Sequence, residues 1–279
     1  MKKSLTFCLS LTLLAGSACL PGCSPEKDGE LDVISYNIRL GVADDGPNSW
    51  EYRRTATIAM LEDKSPDIFG VQEAYGFQIS YITENLPYYK NIGVGREDGK
   101  DEGEHMSIFY DSRNVKLDKW GTFWLSETPE TPSMGWDAAC FRTATWALME
   151  KAGHKFYYVN THLDHVGKEA QEKGLALIVD RIGDINPEGY PMVLTGDFNV
   201  TPDDLVLDGL KTKMLSARDT AEKTDSLGSF NGWGHADSVI DYIWYSGFSG
   251  CPEFSTIQTQ YDGIPYISDH YPVMARLTF

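Results

Sequence analysis

Apolar runs of strand length alternate with helical patterns from residue 31 to the C-terminus. The strand-like runs cover residues 31–38, 67–72, 106–110, 115–125, 192–195, 239–245 and 271–277, and residues 143–150 and 155–161 predict a hairpin. One helix is expected over residues 50–61 with Ser49 as its N-cap, and another around residues 175–182, where apolar side chains recur every three or four positions. This alternation predicts an α/β fold in which helices flank packed sheets of parallel and antiparallel strands.

The N-terminal residues predict export and lipid anchoring. Lys2 and Lys3 precede an apolar stretch at residues 5–15 that is too short to span a bilayer, as in a secretory signal. The Leu-Pro-Gly-Cys sequence ending at Cys23 resembles the lipobox of bacterial lipoproteins, whereas Cys19 fits that pattern less well. Ordinary secretion without a lipid is the alternative. We therefore expect the membrane to be a partner through an acyl anchor on Cys23.

These features divide the chain into a lipoprotein signal peptide at 1–22, a tether at 23–30 and a single domain at 31–279. The acidic tether resembles the outward-export signal of Bacteroidetes lipoproteins. The expected location is the bacterial cell envelope, with the outer-membrane surface as one option. We expect the domain to be monomeric.

Charge and cysteine content narrow the choice of function. The chain has 24 Lys and Arg against 41 Asp and Glu, a net charge of −17, so strong non-specific binding to nucleic acid is not expected. The domain keeps only Cys140 and Cys251, which could form one disulfide bond or remain free thiols. No C-x-x-C pair is present to suggest a zinc site.

Carboxylates, amides and histidines lie at the ends of the predicted strands. They are Asn37, Glu73, His162, Asp197, Asn199, Asp241, Asp269 and His270. Each residue has a structural explanation when taken alone, as a helix cap, a turn residue or a buried ion-pair partner. Taken together they predict a shared site, because buried charges need a partner or a cation. Carboxylate and amide oxygens favour Mg²⁺ or Mn²⁺.

The order of these motifs resembles the endonuclease/exonuclease/phosphatase superfamily. The matching segments are SYN (35–37), QE (72–73), NTH (160–162), GDFN (196–199), IDY (240–242) and SDH (268–270). The resemblance implies two packed mixed β-sheets flanked by helices, a four-layer α/β/β/α sandwich with the site at one edge. It implies hydrolysis of phosphate esters by in-line attack of an activated water at phosphorus.

The resemblance also implies a role for each site residue. The implied metal ligands or their supports are Asn37, Glu73 and Asp269; the groups implied to act on water and phosphate are Asp197, Asn199, His162 and His270. Asp241 would orient His270, and Glu104 matches less firmly an acid that pairs with His162. We expect both histidines to be cationic. Arg39 stands where nucleases of this type often have an acid, which leaves one firm metal position.

An aromatic-rich segment, residues 120–146, has two interpretations. It could supply core aromatics and one surface loop, or a substrate platform from which Arg142 reaches a phosphate oxygen. Asn37 is a second candidate for contact with the substrate.

We therefore predict a Mg²⁺- or Mn²⁺-dependent hydrolase of phosphate esters, with a phosphodiester as the favoured substrate. Nucleic acids, phospholipids, sugar phosphates and inositol phosphates remain open. Polyphosphorylated headgroups rank lower because the sequence shows no cluster of Lys and Arg. A non-catalytic lipoprotein of the same fold that binds glycans or glycolipids is the alternative.

Overall fold

The computed structural model describes residues 29–279. The predicted signal peptide, the acylated cysteine and most of the tether lie outside the described residues, and these features stay predictions. Within the described part of the chain, no helix has the length and apolar character needed to cross a bilayer.

Two six-stranded mixed sheets pack face to face, which confirms the predicted fold class. The strands of the first sheet are β1 (Glu30–Asn37), β2 (Ile68–Gln72), β3 (Tyr89–Ile92), β4 (Ile108–Asp111), β11 (Gly250–Thr256) and β12 (Val273–Thr278). Their order is β11-β12-β1-β2-β4-β3, and β1 and β2 are parallel.

The second sheet repeats this design with one parallel pair. Its strands are β5 (Val115–Trp124), β6 (Thr143–Lys151), β7 (His154–His162), β8 (Met192–Asp197), β9 (Leu215–Ser216) and β10 (Asp241–Ser246). Their order is β5-β6-β7-β8-β10-β9, with β7 and β8 parallel and the predicted β6–β7 hairpin antiparallel.

Helices cover the outer faces of the sheets. They are α1 (Trp50–Lys64), α2 (Gly76–Asn85), α3 (Lys168–Ile185), α4 (Asp208–Lys211) and α5 (Ala217–Thr220). Ser49 is the N-cap of α1, although its side chain makes no capping hydrogen bond. The sequence patterns predicted α1 and α3 but missed α2, the short helices α4 and α5, and strands β3, β9 and β11. All three missed strands lie at a sheet edge. Polar residues interrupt the apolar pattern in β3, and Pro252 interrupts it in β11.

The core has three parts, one between the sheets and one under the helices on each side. The sequence of strand β1 is almost continuously apolar because both faces of the strand are buried. Leu31 and Val33 face the other sheet, whereas Ile34 and Tyr36 pack beneath the helices. Cys140 and Cys251 are both free thiols, which decides between the two alternatives for this pair.

Near the ends of the parallel strands, the inter-sheet core becomes polar. Asn160 of β7 donates through Nδ2 to the carbonyl oxygens of Val71, at 2.8 Å, and Ser107, at 3.2 Å. Its Oδ1 accepts a 2.6 Å hydrogen bond from Gln72 of β2. These bonds cross from one sheet to the other, and they fix the spacing of the strands that carry the site.

Gly70 leaves room for this bridge, because a Cβ atom at that position would lie 2.4 Å from Asn160 Oδ1. Gly70→Ala should therefore lower the free energy of unfolding by about 2 kcal/mol through overpacking. Gly183→Ala in α3 is the matched control, since a Cβ there meets nothing within 4 Å and alanine favours the helix. Urea unfolding of the metal-free proteins measures both effects. Equal stability of Gly70→Ala and the wild type would contradict the close contact.

Candidate active site

The strand ends from both sheets meet at a cleft of about 400 Å³. The predicted residues that line it are Glu73, Glu104, Arg142, His162, Asp197, Asn199, Asp269 and His270. Asn37 and Asp241 lie directly behind this lining, because Asn37 binds Glu73 and Asp241 binds His270. Asp241 comes into place because β10 runs antiparallel to β8, with Asp241 opposite Asp197. All ten predicted residues therefore lie at one site.

The acidic end of the cleft is built from the two parallel strands of the first sheet. Asn37 donates through Nδ2 to Glu73 Oε1 at 3.0 Å and to Asp197 Oδ2 at 2.9 Å. The backbone N–H of Leu40 donates to Glu73 Oε2 at 2.9 Å. Glu73 itself has a φ of 62°, a left-handed conformation that costs a non-glycine residue free energy. These contacts fix the Glu73 carboxylate at the cleft.

The donor atoms at this end suit a divalent cation. Burial raises the pKa of Asp269, and the negative charge of Glu73 raises it further despite opposing charges on His270 and Arg39. A bound cation would relieve this repulsion between carboxylates. A second grouping joins Glu73, His162 and Asp197, whose potential ligand atoms lie within 4.8 Å of one another. Most of the potential ligands in the pair Glu73 and Asp269 and in this second grouping are hard carboxylate oxygens, which fits Mg²⁺ or Mn²⁺.

Arg39 places a permanent positive charge beside the acidic end. Its Nη1 lies 3.6 Å from Asp269 Oδ2, and its Nε and Nη2 donate to the two oxygens of Asp45 at 3.0 and 2.9 Å. Because like charges repel, this guanidinium disfavours a second metal ion next to Asp269.

His270 and Asp241 form the pair that the sequence predicts. His270 Nδ1 lies 2.8 Å from Asp241 Oδ2, and its Nε2 is 3.7 Å from Asp197 Oδ2. Burial lowers the pKa of His270, but the charges of Asp241 and Asp197 outweigh burial and raise it to about 10. His270 is therefore a cation at neutral pH, as expected.

Asp197 lies between the two histidines and is almost fully buried. Its Oδ1 accepts from the backbone N–H of Asn199 at 3.0 Å, and its Oδ2 lies 3.4 Å from His162 Nε2. Burial and the nearby charge of Asp241 raise the pKa of Asp197, although His270, Asn37 and Asn199 act in the opposite direction. A raised pKa makes this carboxylate a better proton acceptor near neutral pH.

Two expectations about His162 are wrong. Glu104 does not pair with it, because Arg96 binds both Glu104 oxygens at 2.8 Å. His162 Nε2 instead accepts from Asn199 Nδ2 at 3.0 Å, and its Nδ1 has no hydrogen-bond partner within residues 29–279. Burial, followed by the charges of Arg142 and Arg96, lowers the pKa of His162 well below its usual value. His162 is therefore neutral, and only His270 is cationic.

The structure also brings together cleft residues that the sequence could not connect. Arg39, Arg96 and Arg142 all line the cleft, although they are far apart in the chain. The sequence shows no cluster of arginines, but the fold brings these three together at the cleft. Arg142 is buried and lies beside His165, a residue to which the motifs assigned no role. The only sequence feature that could have marked His165 as a cleft residue is its position three residues after His162.

The pairing of His270 with Asp241 makes a prediction for pH dependence. Asp241→Asn keeps the side-chain volume but removes a charge that raises the pKa of His270. The imidazolium exists below its pKa, so the fall in kcat/KM at high pH should begin at a lower pH in the variant. The rate should also fall by about 100-fold, the scale of lost electrostatic or acid–base help. Steady-state kinetics across the pH range measures both the size of kcat/KM and its pH dependence. Asp203→Asn, at an exposed position, is the control. An Asp241→Asn variant with the wild-type kcat/KM and pH profile would contradict the role of the His270–Asp241 pair.

Three comparisons place this geometry among known proteins. The model of the endonuclease/exonuclease/phosphatase family matches residues 34–270. An uncharacterized protein of Acanthamoeba polyphaga mimivirus is 27% identical over 249 residues, which cover 81% of this chain and 91% of the viral protein.

Solved structures from Bacteroides thetaiotaomicron are more similar. A protein described as a member of the same family is 33% identical, with a TM-score of 0.85, over 90% of this chain and 98% of that one. A mannosyl-6-phosphatase has the same identity, 33%, and TM-score, 0.85, over 89% of this chain and 100% of its own. The strand-end site and these matches agree, and the chain belongs to the endonuclease/exonuclease/phosphatase family.

Proposed function

We propose that this protein, a phosphate-ester hydrolase of its family, uses Mg²⁺ or Mn²⁺ to remove the phosphate group of a small sugar phosphate. The observation that carries the proposal is the cleft. Its volume of about 400 Å³ falls in the range of small-molecule sites. Its wall carries Arg96 and Arg142, although the chain as a whole has a net charge of −17.

The choice of a sugar phosphate has independent support. A mannosyl-6-phosphatase is among the structures most similar to this chain, at 33% identity. Arg142 Nη1 makes no hydrogen bond within the described residues, whereas its Nε and Nη2 are bound to Asp164 and His165. A free guanidinium N–H group in a cleft is well suited to a phosphate oxygen. The phosphodiester favoured by the sequence stays a prediction, and the assay below distinguishes the two.

The chain's own residues supply the chemistry of water attack. Asp197 accepts a proton from the water as its oxygen bonds to phosphorus in line with the departing ester oxygen. Asn37 and the backbone N–H of Asn199 hold the Asp197 carboxylate in place. His270 donates from Nε2–H to the phosphate and stabilises the charge that develops there, while Asp241 fixes its ring.

The remaining residues shape the phosphate site. Neutral His162 accepts from Asn199 through Nε2, so its proton lies on the buried Nδ1, and the ring lines the cleft beside Asp197. A cation held by Glu73 and Asp269 would neutralise phosphate charge and stabilise the leaving oxygen. Arg96 keeps the Glu104 carboxylate occupied and away from the anionic substrate.

Steady-state kinetics on four substrates tests this proposal. With Mg²⁺ or Mn²⁺, we expect kcat/KM to be higher for mannose 6-phosphate than for p-nitrophenyl phosphate, bis-p-nitrophenyl phosphate or an oligonucleotide. Chelation should abolish turnover, and the added metal should restore it. A higher kcat/KM for the diester would replace the sugar phosphate with the substrate that the sequence favoured. Activity that survives exhaustive chelation would contradict the metal role.

The same assay separates the hydrolase from the glycan-binding alternative. A binding protein has no need to bury Asp197, Asp241 and His270 together in one cleft, since each buried charge costs folding free energy. Tight glycan binding with no turnover of any phosphate ester would favour the alternative.

A further inference from the structure

The loop after β7 and the loop before β6 are joined through one buried carboxylate. Asp164 Oδ1 accepts from the backbone N–H groups of Val166, at 2.9 Å, and Gly167, at 2.8 Å. Its Oδ2 accepts from the backbone N–H of Ala139 at 3.1 Å and from Arg142 Nε at 3.2 Å. The Asp164 side chain has no solvent exposure. The two loops are therefore held as one unit at the rim of the cleft.

Arg142 in this unit fixes the hydrogen-bonding state of His165. Arg142 Nη2 lies 2.9 Å from His165 Nδ1. A guanidinium group can only donate, so Nδ1 must accept, and the imidazole must carry its proton on Nε2. The ring is thus a single N–H donor whose direction is set by Arg142.

The His165 Nε2–H group is available to a ligand. His165 lines the cleft and is solvent-exposed, and its Nε2 makes no hydrogen bond within residues 29–279. The reacting phosphate belongs at the cleft floor, beside buried His270 and Asp197. The part of the substrate beyond the ester oxygen can therefore extend toward the exposed side of the cleft, where His165 lies.

We propose that His165 is a specificity-determining residue that donates from Nε2–H to a hydroxyl of the sugar. Arg142 positions it while also reaching the phosphate. This inference rests on the proposed function, because it concerns the sugar end of the same substrate. On this view, His165 at the exposed side of the cleft is the residue that distinguishes sugar phosphates from phosphate esters without a sugar.

Two variants, each of which keeps one of the two imidazole nitrogen positions, distinguish contact with the sugar from an effect through Arg142. In His165→Gln, the side-chain amide nitrogen can take the place of Nε2 and donate to the sugar. In His165→Asn, the shorter side chain can take the place of Nδ1 and still accept from Arg142, but it does not reach the sugar. The substrates are mannose 6-phosphate and phenyl phosphate, which has no hydroxyl on its ring. Exposed His154, at the other end of β7, gives the control variant His154→Asn.

The measured quantity is the ratio of kcat/KM for mannose 6-phosphate to that for phenyl phosphate. Loss of one hydrogen bond should lower this ratio by about 3- to 10-fold in His165→Asn. The change should lie mainly in KM for the sugar phosphate, and His165→Gln should regain part of the ratio. His154→Asn should match the wild type.

Two outcomes would overturn the assignment. If wild type hydrolyses mannose 6-phosphate and His165→Asn keeps the wild-type ratio, His165 does not contact the sugar. If His165→Gln loses both activities equally while His165→Asn keeps them, the residue acts only through Arg142. A wild type that hydrolyses phenyl phosphate but no sugar phosphate would instead contradict the proposed function, and this inference would fail with it.

Discussion

The buried carboxylate of Asp197 is the constraint around which the site is built. It lies at the junction of the two sheets, where Asn37 of the first sheet donates to it at 2.9 Å. His162 Nε2, at the end of β7 in the second sheet, lies 3.4 Å from it, and His270 Nε2, from the loop before β12, lies 3.7 Å from it. A buried carboxylate is stable only when it is hydrogen-bonded or paired. Satisfying Asp197 therefore requires both sheets to be in register at this edge, which couples the fold directly to the site.

The two histidines differ because their surroundings differ. His270 has Asp241 and Asp197 as neighbours, and these charges raise its pKa despite burial. His162 has Arg142 and Arg96 nearby, and burial and these positive charges together lower its pKa. One imidazole is therefore a fixed cation and the other a neutral donor and acceptor. In the proposed mechanism, this division gives the phosphate one charged imidazole partner, His270.

The sequence could predict the fold and most of the site because both are encoded locally. Polar residues directly after apolar strands, such as Glu73 and Asp197, marked the cleft without any knowledge of contacts. The contacts made within loops were not accessible. Arg96 and Glu104 are only eight residues apart, but nothing in the sequence shows that the loop between them brings their side chains together, so the predicted partner of His162 was wrong. Helix α2 was missed because Gln78, a polar residue, is buried on its inner face. Gln78 binds the backbone of Arg39 and Gly41, which serves the site rather than the core.

Asp197 is the residue to which the proposed mechanism assigns activation of the water. Asp197→Asn keeps the size of the side chain but removes the proton acceptor, so kcat should fall by about 1,000-fold or more at every pH. Binding of inorganic phosphate, measured by calorimetry with metal present, should be largely retained. A variant whose kcat stays within about tenfold of wild type, with phosphate binding unchanged, would contradict the account and assign water activation to another group.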